Sequence, residues 1–172
     1  PVTSIKLGLF DFASVEEGQL GVFVGSLEID DPDIGENRTY LVTGQDAKYF
    51  EVVDGNLKLR SDISLDYESL SFTAIDAQGN WYKYLYVTVT VIDSGGYTAK
   101  NDFSIEVLDS NDSPYALDLE GTMIKAGNNS GQAIGKLETF DQDDNSFTFS
   151  VDNTNFEIVD GQLRIKNNID LS

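Results

Sequence analysis

Apolar and polar residues alternate along much of this chain with a period of two, the spacing of a strand with one buried face. The clearest run is 85–91, where Leu85, Val87, Val89 and Val91 interleave with Tyr86, Thr88 and Thr90. Phe103, Ser104, Ile105, Glu106 and Val107 repeat the pattern inside a strand predicted over 101–108. A weak opening strand is predicted over 1–13, an apolar one over 20–29, and short ones over 39–43, 49–53 and 56–60. Asp54-Gly55 joins the last two and suits a tight hairpin turn. Residues 69–84 read as an extra hairpin turning at Gln78-Gly79-Asn80, and Asp93-Ser94-Gly95-Gly96 reads as a further turn. No stretch carries the period of an amphipathic helix. Roughly seven short strands in about 110 residues predict an all-β sandwich.

The pattern then repeats. Residues 50–65, FEVVDGNLKLRSDISL, recur at 156–171 as FEIVDGQLRIKNNIDL. Upstream, Gly25-Ser26-Leu27 matches Gly135-Lys136-Leu137, and Asp31-Pro32-Asp33 matches Asp141-Gln142-Asp143. A period of roughly 106–110 residues is a whole domain, not a solenoid unit. The organisation expected is a first repeat over 1–108, a linker over 109–114 and a partial second repeat over 115–172. The second copy has no counterpart of 67–108. It is therefore expected to be frayed, to be completed by another molecule, or to belong to a longer native chain. Starting on Pro1 and stopping inside a pattern, the sequence reads as a fragment.

Composition narrows the chemistry. Among 172 residues, 40% are hydrophobic, enough for a core. There are 30 acidic against 11 basic residues, a formal net charge of −19, which makes nucleic acid or an anionic membrane an unsuitable partner. Histidine and cysteine are absent, which excludes Ser-His and Cys-His catalysis, a His/Cys zinc site and disulfides. A bound metal is the usual substitute for a missing disulfide staple. The sequence carries no signal peptide and no apolar run long enough to span a bilayer.

Where the carboxylates cluster, the spacing suits a hard cation. Asp109, Asn111 and Asp112 offer three oxygen side chains within four residues, and Pro114 then stops the preceding strand from running on. In Asp31-Pro32-Asp33-Ile34-Gly35-Glu36-Asn37 alternate residues carry oxygen ligands with a glycine at the turn, a pattern shared with plain acidic turns. Asp66 and Glu68, two apart in Leu65-Asp66-Tyr67-Glu68, fall on one side of an extended segment. Glu16 stands just before a strand. Trp81, Tyr82 and Tyr84 crowd one arm of the 69–84 hairpin opposite Phe72, either to stack on sugar rings or to pack across the sheet.

Taken in order, Glu16, Asp31-x-Asp33-x-Gly35-x-Asn37, Leu65-Asp66-Tyr67-Glu68, Val91-Ile92-Asp93 and Asp109-x-Asn111-Asp112-x-Pro114 resemble the cadherin repeat. The likeness covers 1–114 and, in part, 115–172. The lack of disulfides and the turns Ser-Gly-Gly-Tyr and Asp-Gly-Asn are similar to bacterial cadherin-like repeats of secreted adhesins and exopolysaccharide-binding proteins. The resemblance implies seven-stranded, Ig-like Greek-key sandwiches stacked end to end, with calcium at each junction. Carried over, the junction takes Glu16, Asp66 and Glu68 from the base of repeat one and Asp109, Asn111 and Asp112 from the linker. Asp141 and Asp143 come from repeat two. Asp31, Asp33, Asn37 and Asp93 form the upper half of a separate site. Three positions depart from the family: Ser113 replaces its last linker Asn, while Ala126 and Ser172 stand opposite Glu16 and Asp66. Fewer or weaker ions than a complete junction holds are expected.

The function this implies is a calcium-binding extracellular or cell-surface repeat that rigidifies a multi-domain protein and supports adhesion. Its partners are neighbouring repeats, homophilic contacts or extracellular polysaccharide, without membrane insertion. The alternative is a calcium-dependent carbohydrate-binding module working through Trp81, Tyr82 and Tyr84. Catalysis is not expected, because the carboxylate pairs fit cation binding better than glycoside hydrolysis.

Overall fold

The computed structural model describes residues 1–8, 13–33, 37–121, 124, 131–167 and 169. Gly35, Ala126 and Ser172 lie outside them. Two compact units result, Pro1–Ser110 and Asn111–Ser172.

Unit 1 is built from two sheets. One has the order β1 (Ser4–Gly8), β3 (Phe23–Asp30), β6 (Asn56–Leu59), β5 (Phe50–Val53), antiparallel throughout. The other has the order β2 (Ala13–Glu16), β9 (Thr98–Leu108), β8 (Trp81–Ile92), β4 (Thr39–Thr43), with β7 (Ala74–Ile75) pairing to the start of β8. Counting β1 and β2 as two halves of one strand and leaving β7 aside, this is the seven-stranded sandwich the alternation and the family resemblance called for.

The alternation sorts the side chains as expected. Leu85, Val87, Val89 and Val91 of β8 are at most 2% exposed. They join Ile105 and Val107 of β9, Val15 of β2, and Ile5, Val24, Leu27, Phe50, Leu57 and Leu59 of the first sheet in one core. Burying each such side chain contributes about 1.5–3 kcal/mol before entropy is counted.

Two features depart from the sequence reading. The opening segment supplies a strand to each sheet: β1 runs antiparallel to β3, and β2 runs parallel to β9, with Val15 opposite Val107 and Glu16 opposite Leu108. The 69–84 hairpin is also shorter than expected. Only Ala74–Ile75 pairs with Trp81–Tyr82, and the second arm is simply the start of β8.

Unit 2 is a single sheet among the described residues, with the order β10 (Ala116–Glu120), β11 (Ala133–Phe140), β13 (Gln162–Ile165), β12 (Phe156–Val159). This copies the order of β1, β3, β6 and β5. Both β5–β6 and β12–β13 turn on Asp-Gly with positive φ at each residue, 51° and 73° for Asp54-Gly55, 51° and 70° for Asp160-Gly161. That pair of conformations matches the twist of a two-residue hairpin, and glycine takes it without strain. The covered face is not copied. Ile5 is 3% exposed, whereas Leu117, at the same register position, is 61% exposed. Residues 146–151 occupy the place of β4 and alternate Phe147, Phe149 and Val151, yet they form no strand. β4 exists because β8 pairs with it, and no counterpart of β8 is present among the described residues of unit 2.

Candidate metal site

One end of unit 1 gathers the ends of β2 and β9 and the loop 65–70. The parallel pairing of β2 with β9 makes both strands finish there, and the Glu17 amide donates to the Leu108 carbonyl at 3.2 Å. The Gly18 amide donates to the Leu65 carbonyl at 3.0 Å, which brings the loop against the same edge. Glu17 is only 5% exposed. Its Oε1 accepts the Ser110 amide at 2.9 Å and its Oε2 accepts the Tyr67 amide, so one buried carboxylate ties all three segments together. A buried carboxylate needs such donors to offset its lost hydration.

A carboxylate oxygen of Glu68 lies within 4.8 Å of one from Glu17, and Glu68 and Asp109 approach as closely. At an effective dielectric near 20, two such charges at that separation repel by about 3.5 kcal/mol. The Tyr67 phenol reports the same field: burial pushes it up first, followed by the negative charges of Asp109, Glu68, Glu106 and Glu17. Asp66, exposed, accepts the Ser69 amide at 3.1 Å and so caps the turn that carries Glu68. Oxygen donors alone, with Glu68 within reach of both Glu17 and Asp109, are a set for a hard cation rather than for zinc or copper.

Glu16, the expected ligand, is not part of this cluster. Val15 faces the core, so alternation turns Glu16 outward and Glu17 inward; the Glu16 carboxylate instead accepts the Gln19 side-chain amide at 2.7 Å. The carboxylate that does join the cluster is that of Glu17, a residue that counting in twos from Val15 would have found.

Asp31, Asp33, Asn37 and Asp93 sit at the other end of unit 1. The Asp31 side chain has no exposed surface. Its Oδ1 accepts the Asp33 amide at 3.0 Å, and its Oδ2 accepts no hydrogen bond and lies 3.8 Å from the Arg38 guanidinium. Asp33 lies 2.8 Å from the Pro1 nitrogen, and Asn37 is exposed. Asp93 is largely spoken for by its own turn. Burial pushes its carboxyl up, but amides of Val2, Tyr97 and Gly95 outweigh that and hold it below the usual range. Val2 donates at 3.1 Å and Tyr97 at 2.8 Å.

In unit 2 the Asp141/Asp143 pair copies Asp31/Asp33. Asp141 Oδ1 accepts the amides of Asp143 at 2.9 Å and Asp144 at 3.0 Å. Asp143 Oδ2 accepts the Asp112 amide at 2.6 Å, and Asp112 Oδ2 accepts from the Gln142 side chain at 3.1 Å. The Asn111 side chain donates to the Asp112 carbonyl at 2.7 Å. Asn111, Asp112, Asp141 and Asp143 therefore form one local group.

Trp81, Tyr82 and Tyr84 do not form one platform. Alternation along β8 puts Trp81 on the face of Lys83 and Leu85, and Tyr82 and Tyr84 on the opposite face, where their rings stack 6.2 Å apart. Trp81 packs against Phe72 at 5.6 Å. The Tyr82 hydroxyl donates to Asp76 at 3.0 Å, an interaction that raises its phenol.

No family model matches this chain, and no curated protein matches it. Solved structures do. Human protocadherin-24 EC1-2 is 22% identical with a TM-score of 0.54, over 97% of this chain and 79% of that one. Mouse cadherin-23 EC22-24 is 18% identical with a TM-score of 0.53, over 97% of this chain and 55% of that one. Against extracellular cadherin domains 1-4 of protocadherin gamma B7, 22% identical with a TM-score of 0.50, the chain spans 42% of the length. At these identities the likeness is one of architecture, and it establishes a cadherin-like β-sandwich.

Proposed function

We propose that this chain is a calcium-binding, extracellular cadherin-like repeat segment that stiffens a longer surface protein and supports adhesion through neighbouring repeats, without catalysis. The observation that carries the proposal is the convergence of Glu17, Glu68 and Asp109 at the end of unit 1 where the linker begins. Calcium takes six to eight oxygens in flexible geometry, and this oxygen-only set fits it. Asp66, Asn111, Asp112, Asp141 and Asp143 are the further ligands proposed. Asp31, Asp33, Asn37 and Asp93 are proposed as a weaker second set, since Arg38 and the turn amides already answer part of their charge. The cadherin-like fold supports an extracellular setting. Among the described residues no helix is long and apolar enough to cross a membrane.

Calorimetric titration of the chelator-treated chain with calcium tests the reading. Saturable binding with a dissociation constant on the order of 10⁻⁴–10⁻³ M is expected, as for extracellular modules. A flat titration together with an unchanged melting temperature would end it.

A further inference from the structure

Lys83 is out of place by pattern. It stands on the core-facing side of β8, in line with Leu85 and Val87, and is only 4% exposed. A buried ammonium is tolerated only when its charge and protons are answered. Here it donates to the Tyr67 carbonyl and lies over two rings, 3.6 Å from the centroid of Tyr67 and 4.8 Å from that of Phe72. Cation–π contact of this kind strengthens when the cation is desolvated. Tyr67 is thus gripped at both ends of its backbone: its amide on Glu17, its carbonyl on Lys83. Asp66 and Glu68 hang on either side of that fixed residue.

We propose that Lys83 is a positioning residue for the cation site. By pinning the Tyr67 carbonyl it holds Asp66 and Glu68 in ligating geometry, and the 69–84 segment, through Phe72, shields the ammonium that does so. The inference rests on the calcium reading above. Two effects oppose each other: the positive charge of Lys83 disfavours a nearby cation, and its grip on the loop favours one. The proposal commits to the second as the larger, so the sign of the mutational effect decides it.

The test is calcium titration of the full chain as wild type, Lys83→Met, Lys83→Arg and Phe72→Ala, with chelator melts to check folding. Met fills the volume but cannot donate; its affinity should fall about tenfold or more, the usual cost of losing a partner that orients a ligand. Arg keeps the donor and the ring contacts and should restore affinity to within about threefold. Phe72→Ala, which trims a 56% exposed ring, should weaken binding in the same direction and carries the test if Lys83→Met does not fold. Equal or tighter binding by a folded Lys83→Met, or unchanged binding by Phe72→Ala, overturns the inference alone. A wild type that binds no calcium overturns the calcium reading and the inference with it.

Discussion

Glu17 Oε1 accepts the amide proton of Ser110 at 2.9 Å, across 93 residues of chain. That bond ties the start of unit 1 to its exit. Removing the carboxylate would strand two donors, the Ser110 and Tyr67 amides. Losing hydrogen bonds to a charged acceptor costs about 1.5–3 kcal/mol each. Glu17→Ala is expected to lower stability by about 3 kcal/mol, and Glu16→Ala by less than about 0.5 kcal/mol, as for an ordinary surface change. Urea unfolding followed by Trp81, the sole tryptophan, checks both. Equal losses would contradict the placement of Glu17.

Asp112→Ala should remove most of the stabilisation that calcium gives, while Asp33→Ala should remove less. Asp33 belongs to the end of unit 1 where Arg38 stands beside Asp31, so its cation set starts out partly neutralised. At calcium about ten times the dissociation constant the wild type gains about 1.4 kcal/mol by mass action. Melting temperatures in chelator and in calcium measure that gain for each variant. Matching losses would overturn the assignment of the main site.

Ile5→Ala and Leu117→Ala change equivalent register positions in the two units. Ile5 is core, and its truncation should cost about 2–5 kcal/mol. Leu117, mostly exposed, should cost less than about 0.5 kcal/mol. Circular dichroism melts of the two variants separate these outcomes.

Asp76 gives an acid-sensitive hairpin. The backbone amide of Asn80, then its side chain, and then Tyr82 and Gln78 hold the Asp76 carboxyl down at about 2, against an ordinary 3.8. Because the folded value is the lower one, the charged form stabilises the fold above pH 3.8, and that contribution disappears as pH falls toward about 2. Asp76→Asn should therefore be less stable than wild type near neutral pH, with the gap closing across that window. A gap that persists at the acid end would locate the effect in shape rather than charge.

Much of this molecule was legible in advance because period-two alternation decides which residues are inside. Val87, Val89 and Val91 announce the core, and Asp54-Gly55 and Asp160-Gly161 announce matched hairpins. Three things were hidden. The division of the opening segment between two sheets depends on what lies beside it, which no local pattern encodes. That Glu17 rather than Glu16 lies in the carboxylate cluster required fixing the phase of a four-residue strand from Val15. Residues 146–151 show the converse: a strand-like pattern stays irregular where no strand lies beside it to complete its hydrogen bonds. Lys83 was hidden by chemistry, since an ammonium on the core side of a strand is normally evidence against burial.

The parallel run of β2 beside β9 bears on how unit 1 responds to tension. Four consecutive pairs, from Ala13 with Ile105 to Glu16 with Leu108, join a strand near the entrance of the unit to the strand at its exit. A pull that draws Ala13 and Ser110 apart slides one strand along the other and loads those pairs in shear, all at once. Antiparallel hairpins pulled from their open ends would instead unzip one rung at a time. Rupture of this seam under force should accordingly be abrupt, with Glu17 and Ser110 as its last stitch.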